Sequence, residues 1–123
     1  MTSQATIQAT ILTVADDAGV RQFLEEVLRR HGYQVLMAAD VPEAEAIGQR
    51  LGLESLDLVI LDLQVPGGDT LGLRWGAQAP LLRFILISDD RLSGPLEPPV
   101  VWWLAKPLTA DALLMAVRDS LGS

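Results

Sequence analysis

Five short apolar runs divide the chain and predict the strands of a sheet. The third run is almost entirely apolar, as expected of a strand that is buried on both faces of a parallel sheet. The other runs are short and rich in Ile, Leu and Val, which favours strands over helices at this length. The predicted strands are Ile11–Val14, Gln34–Ala38, Leu56–Leu61, Phe84–Ile87 and Val100–Leu104.

Helical patterns separate most of these runs. After the first strand, apolar residues recur at the i, i+4, i+7 and i+8 spacing of one helix face, from Val20 to Leu28. A second helix carries Pro42 in its first turn, where a missing N–H is harmless. The predicted helices are Val20–His31, Asp40 or Val41 to about Leu51, a short helix Thr70–Gly76, and a last helix capped by Thr109.

Strict alternation of strands and helices, with short connections, predicts a three-layer α/β fold. Such a chain winds a parallel sheet with right-handed crossovers, so helices cover both of its faces. The length of 123 residues fits one domain, and half of the residues are hydrophobic, which is enough for one core. We therefore predict a single domain over residues 1–123, with residues 1–9 as an N-terminal extension and no output domain.

Composition excludes several classes of protein. The chain has no cysteine, which excludes disulfide frameworks, thiolate zinc sites and cysteine nucleophiles. No apolar run is long enough to span a bilayer, and the start of the chain lacks the pattern of a signal peptide. The net charge of −7 argues against nucleic acid and anionic membrane as ligands, since both need a basic surface. The predicted location is the cytoplasm.

Polar and charged residues gather where four of the strands end. In parallel sheets ligands bind beyond these carboxyl ends. Crowded carboxylates favour a hard cation such as Mg²⁺, while a lysine and a hydroxyl suit the oxygens of a phosphoryl group. Aspartate can itself act as a nucleophile towards phosphorus. The residues at this edge are Asp16, Asp17, Asp62, Ser88, Asp89, Asp90, Lys106 and Pro107.

Taken one at a time, these residues also have ordinary structural roles. An acidic pair such as Asp16 and Asp17 commonly caps the helix that follows it. A serine after a strand is usually a turn residue, and most lysines are solvated at the surface. It is their joint position at one edge that favours a functional site.

At these positions the sequence resembles the receiver domains of bacterial two-component response regulators, as an atypical or degenerate member. The resemblance covers roughly Thr10 to Leu121. It implies a flavodoxin-like, doubly wound, five-stranded parallel sheet of strand order 2-1-3-4-5. Its motifs are Ile11–Asp17 with Arg21 following, Gly32–Val35, Ala38–Asp40, Asp57–Leu63, Pro66–Gly67, Ile87–Ser88 and Lys106–Pro107.

The resemblance also implies a role for each site residue. Asp62 matches the phosphoacceptor, which receives a phosphoryl group from the phosphohistidine of a sensor histidine kinase or phosphotransfer protein. Ser88 and Lys106 match the hydroxyl and the ammonium that bind the phosphoryl oxygens. Pro107 matches a proline that often follows a cis peptide bond. The implied Mg²⁺ ligands are the carboxylates of Asp16 and Asp62 and the main-chain carbonyl of Gln64.

Two departures from the family concern the metal site and its entrance. Ala15 stands where the family has the first residue of its acidic pair, so the cation site is one carboxylate short and Mg²⁺ is expected to bind weakly. Asp17 compensates only if its side chain reaches the cation. Asp89 stands where the family has a small residue, and it either repels an incoming phosphate or reaches the cation itself.

Two further departures concern signalling. Four breaker residues lie between Ser88 and Lys106, so the helix expected there is short or missing. Trp103 matches the family's switch aromatic, and Trp102 stands beside it where the family tends to be polar. The two indoles point to opposite sides of a strand, so one of them is either covered by a loop or forms a partner-binding patch.

Two functions remain open, with a third less favoured. In the first, Asp62 accepts a phosphoryl group and the domain switches its contacts with a downstream protein or a second copy. In the second, a pseudo-receiver acts without phosphorylation through the Leu92–Trp103 region. The chain is not expected to be an enzyme beyond self-phosphorylation and self-dephosphorylation. A hydrolase with an Asp62 nucleophile is disfavoured because Gln64 cannot protonate a leaving group.

Overall fold

A computed structural model of the protein describes residues 9–89 and 100–122. Its five strands form one parallel sheet in the order β2-β1-β3-β4-β5, as the resemblance implied. The strands are β1 (Thr10–Val14), β2 (Gln34–Ala38), β3 (Leu58–Asp62), β4 (Arg83–Ser88) and β5 (Val100–Ala105).

Four α-helices connect or follow these strands within the described residues. They are α1 (Ala18–Arg30), α2 (Val41–Leu51), α3 (Gly68–Gln78) and α4 (Ala110–Ser120), with a single turn of 3₁₀ helix at Leu53–Ser55. The Asp40 carboxylate caps α2 by accepting from the Glu43 N–H at 2.8 Å, and the Thr109 hydroxyl caps α4 by accepting from the Ala112 N–H at 3.2 Å. Both caps satisfy donors that a helix start leaves unpaired.

The helices cover both faces of the sheet, which gives the predicted three layers. On one face α2 and α3 pack their Ile47, Leu71 and Trp75 against the strands. On the other face α1 and α4 contribute Leu28 and Leu113 to a second cluster. Every residue of β3 is buried, because this central strand has neighbouring strands on both edges and helices over both faces.

Some predicted boundaries were wrong for local reasons. The helix α3 begins before Thr70 because Gly67, at φ 80°, caps it without a side chain that marks a helix start, and it continues beyond Gly76 to Gln78. The strand β3 begins at Leu58, since Leu56 ends the unpredicted 3₁₀ turn. The helix α1 begins at Ala18 because Asp17 is its cap.

The segment expected to replace a helix between β4 and β5 falls on residues 90–99, outside the described residues, as does most of the N-terminal extension. The interaction region proposed at Leu92–Trp103 is therefore described only from Val100 onwards. Within the two described ranges, no helix is both long and apolar enough to cross a membrane.

The two tryptophans of β5 lie on opposite faces of the sheet. Trp102 packs against the cluster under α1 and α4, and its indole N–H donates to the Asp119 carboxylate at 2.7 Å. Trp103 is paired in register with Leu86, which packs on the α2 and α3 face. Trp102 is thus covered by the last helix rather than by a loop.

Candidate functional site

Asp62 is a fully buried carboxylate at the carboxyl end of the central strand. Its Oδ1 accepts a hydrogen bond from the Gln64 N–H at 2.9 Å. Its Oδ2 forms an ion pair with the Lys106 Nζ at 2.7 Å. A charge removed from water in this way needs a partner, and here the two oxygens have one each.

Lys106 reaches Asp62 from the end of β5, two strands away in the sheet. Its backbone N–H donates to the Ser88 carbonyl at 3.0 Å, and the bond from Lys106 to Pro107 is a cis peptide. Burial by itself lowers the pKa of Lys106, but the hydrogen bond and charge of Asp62, with the charges of Asp89 and Asp16, outweigh it and raise this pKa above 10.5. The lysine is therefore a fixed positive charge at neutral pH.

Ser88 ends β4, the strand that lies between β3 and β5. It is almost fully buried, with 6% of its surface exposed. Since Asp62 is paired with Ile87 in register, the serine follows directly on the residue beside the carboxylate. The structure thus brings Asp62, Ser88 and Lys106 to neighbouring strand ends, as the sequence predicted.

The loop after β1 carries two carboxylates, Asp16 and Asp17, which are exposed where Asp62 is buried. Ala15 is fully buried, and its N–H donates to the Ala38 carbonyl at 3.1 Å. Asp16 is exposed, and it lies close enough to Lys106 to raise the pKa of that lysine. Asp17 is the N-cap of α1, because its Oδ1 accepts from the Gly19 N–H at 2.6 Å and the Val20 N–H at 3.2 Å. The capping role expected for an acidic pair therefore belongs to Asp17.

This edge offers only a few oxygen donors to a hard cation such as Mg²⁺. Two carboxylates, Asp16 and Asp62, and the carbonyl of Gln64 are oxygen donors of the kind that Mg²⁺ takes together with several waters. Ala15 offers no side-chain donor, and the Asp17 Oδ1 already caps a helix. In the part of the chain that the structure describes, no three His, Cys, Asp or Glu side chains are grouped to hold a metal.

An open groove of about 490 Å³ lies beside Lys106, and the sequence pattern did not predict it. Asp17 and Asp89 place negative charge on its walls, and apolar residues from α1 and the loop after β5 line the rest. The only feature of the sequence that pointed to this groove is Phe23, an apolar residue of α1 that lies outside the periodic apolar face from Val20 to Leu28. The apolar lining residues are Val20, Phe23, Pro107 and Leu108.

Trp103 lies three residues before Lys106 and is half-buried. The nitrogen of its indole is buried and has no hydrogen-bond partner among the described residues. A buried donor of this kind is uncommon. The position, three residues before Lys106, is that of the aromatic that the resemblance implied.

The chain is similar in sequence to proteins named as transcriptional regulators. The chain is 36% identical over 117 residues to "Probable transcriptional regulator ycf27" of Porphyridium aerugineum, over 90% of this chain and 47% of that protein. It is 30% identical over 122 residues to the alginate biosynthesis transcriptional regulatory protein AlgB of Pseudomonas aeruginosa, over 93% of this chain and 26% of that protein. The chain thus spans about half the length of these relatives or less. No family model matches.

The fold of the chain matches solved structures of receiver domains over nearly their whole length. The receiver domain of the hybrid histidine kinase CckA is 33% identical, with a TM-score of 0.77, over 92% of this chain and 99% of that domain. The signal receiver domain of an HD domain-containing protein from Pseudomonas fluorescens Pf-5 has a TM-score of 0.81 at 27% identity, over 93% and 94% of the two chains. The chain therefore belongs to the receiver domains of two-component response regulators.

Proposed function

We propose that this receiver domain accepts a phosphoryl group on Asp62 and changes its protein contacts as a result. The observation that carries the proposal is the buried Asp62 carboxylate at the end of the central strand, paired with Lys106 at 2.7 Å. A buried carboxylate with a fixed cation beside it offers both a nucleophile and a charge to neutralise the product.

In the proposed step an Asp62 oxygen attacks phosphorus and forms a P–O bond. The bond between phosphorus and the leaving group breaks, and its electron pair goes to the leaving atom, which is an imidazole nitrogen if the donor is a phosphohistidine. Lys106 pairs with the new phosphoryl oxygens, and the Ser88 hydroxyl donates to one of them. Such transfers ask the protein mainly for positioning and charge.

Mg²⁺ bound by Asp16, Asp62 and the Gln64 carbonyl would supply further positive charge to the phosphoryl oxygens. We propose weak binding, because Ala15 removes a carboxylate from the set. Without a cation, Lys106 still places one positive charge near the carboxylates of Asp16, Asp62 and Asp89. All three of these negative charges raise its pKa.

The donor we propose is a sensor histidine kinase or a phosphotransfer protein, and the readout is a downstream protein or a second copy of the chain. Asp89 is exposed on the wall of the groove beside Lys106, where it would repel small anionic donors. A protein donor brings binding energy of its own and is less affected by that repulsion.

The test is uptake of one phosphoryl group from a small-molecule phosphodonor with Mg²⁺, followed by intact-protein mass spectrometry. Wild type should gain the mass of one phosphoryl group, and Asp62→Asn should gain none. Asp111→Asn, an exposed carboxylate change on α4, is the matched control and should behave as wild type.

A wild-type chain that forms neither this adduct nor a beryllofluoride complex at any Mg²⁺ concentration would contradict the proposal. The pseudo-receiver, which acts by contacts independent of phosphorylation, would then stand in its place. The observation in its favour is that Ala15, at a position expected to be acidic, is fully buried and carries no charge.

A further inference from the structure

The loop that carries Asp16 is anchored from both sides, and one anchor is an arginine. The Arg21 Nη1 donates to the Ala15 carbonyl at 2.8 Å, although the two residues lie six apart in the chain. Ala15 is also tied to β2 through its N–H and the Ala38 carbonyl. On the other side, the Asp17 side chain caps α1. Asp16 lies between these anchors with its side chain exposed.

We infer that Arg21 is a positioning residue for the cation site. Side chains on a helix point back towards its start, so an arginine in the first turns of α1 can reach the loop that precedes the helix. Its guanidinium binds the carbonyl of the residue immediately before Asp16, which restricts the backbone from which the Asp16 carboxylate projects. This inference rests on the proposed function only in the identity of the ligand, Mg²⁺.

Positioning of Asp16 by Arg21 matters more here than it would in a site with three carboxylates. With Ala15 in place of an acid, Asp16 is the one loop carboxylate that neither caps a helix nor lies buried. A cation held by few ligands loses a larger share of its binding when one ligand is poorly oriented. Outer partners that orient metal ligands commonly change affinity by about tenfold to a hundredfold when removed.

The experiment compares two arginines of the same helix. Arg21→Met removes the contact with Ala15, while Arg29→Met removes a similar bond from its guanidinium to the Val35 carbonyl, at 3.1 Å, away from the site. We expect Arg21→Met to weaken Mg²⁺ binding about tenfold, measured by tryptophan fluorescence. Arg29→Met should leave Mg²⁺ binding as in wild type, and Arg21→Lys, which keeps the charge but not the forked donor, should lie between.

A second measurement does not need the metal. The NMR order parameter of the Asp16 amide in metal-free protein should fall from about 0.85, typical of a rigid backbone, towards about 0.6 in Arg21→Met and stay unchanged in Arg29→Met. If wild type does not respond to Mg²⁺, the proposed function fails and this measurement alone decides the role of Arg21. Equal order parameters in the two variants, or equal Mg²⁺ affinities where wild type binds Mg²⁺, would overturn the inference.

Discussion

The corner formed by Asp62 and Lys106 and the loop formed by Ala15, Asp16 and Asp17 lie at the same edge of the sheet, but they are built differently. The corner is buried, and each oxygen of its carboxylate has a partner. The loop presents its free carboxylate to solvent and is held through its backbone. We therefore expect the buried Asp62–Lys106 pair to matter for folding stability, and the exposed Asp16 carboxylate of the loop to matter little for it.

This difference has a consequence for sequence change. Removing one partner of a buried pair leaves a charge without compensation, so the fold resists it. Replacing an exposed loop carboxylate alters metal binding at little cost to the fold. Asp62, Ser88 and Lys106 lie together at neighbouring strand ends although Ala15 offers no carboxylate in the loop.

The largest effect on stability is expected at the corner. Lys106→Met should lower the free energy of unfolding by about 3–5 kcal/mol at pH 7, because it leaves the buried Asp62 charge unpaired. Chemical denaturation measures this. The control is Arg74→Met, which breaks the more exposed ion pair with Glu45 and should cost less than about 1 kcal/mol.

A double variant separates the charge from lost packing. Lys106→Met combined with Asp62→Asn has no charge at the corner, so it should regain part of the lost stability. If Lys106→Met is no more destabilising than Arg74→Met, the corner is not tied to folding stability.

A smaller effect is expected in the loop, where one substitution should lower folding stability but raise the affinity for Mg²⁺. Ala15→Asp restores the acidic residue but places it at a fully buried position, so metal-free protein should lose about 1–3 kcal/mol of stability. The same change should tighten Mg²⁺ binding about tenfold. Denaturation with and without Mg²⁺ measures both effects.

Ala15→Asn is the control for size. It should destabilise the protein by a similar crowding effect but give no tighter Mg²⁺ binding, since an amide is a weaker ligand for this ion than a carboxylate. An unchanged Mg²⁺ affinity in Ala15→Asp would show that this position does not face the cation site.

The smallest effect concerns the pKa of Lys106, which links the two regions. Its pKa is raised by Asp62 and, from the exposed edge, by Asp89 and Asp16, against the effect of burial. Asp62→Asn should therefore lower this pKa, because it removes the negative charge that counteracts the effect of burial. Asp89→Asn should lower the pKa by less. Lys106 is the only lysine of the chain, so lysine-selective labelling gives a single NMR signal to titrate.

The sign for stability follows from the raised pKa. The contribution of Lys106 is fully present below its unfolded pKa of about 10.4 and is lost as pH rises through the higher folded value. The difference in stability between wild type and Lys106→Met should shrink over that alkaline range. A Lys106 pKa that is the same in wild type and Asp62→Asn would contradict the assigned cause.

Much of the fold was readable from local signals. The strand Gln34–Ala38 and the cap at Thr109 were predicted as they occur, and α2 begins at Val41, one of the two starts predicted for it, because apolar periodicity and capping side chains act over a few residues. The 3₁₀ turn at Leu53–Ser55 and the full length of α3 were missed. Both follow glycines with positive φ, whose backbone conformation leaves no side-chain signal.

The site was predictable as a set of residues but not as a set of contacts. Strand ends in a parallel sheet meet at one edge, which placed Asp62, Ser88 and Lys106 together. The sequence could not decide whether Asp17 caps the helix or faces the cation, since both need the same residue at the same position. The Arg21 bond was not predictable either, because it depends on the path of a long side chain back to a backbone carbonyl.

The pairing of Lys106 with Asp62 has a practical consequence for handling the protein. Reagents that acylate or carbamylate amines, such as succinimidyl dyes or the cyanate in aged urea, have only one side-chain target in this chain. Reaction there removes the positive charge that pairs with the Asp62 carboxylate. Coupling through Lys106 would therefore break its ion pair with Asp62, and this ion pair should make labelling of Lys106 slower than labelling of the terminal amine.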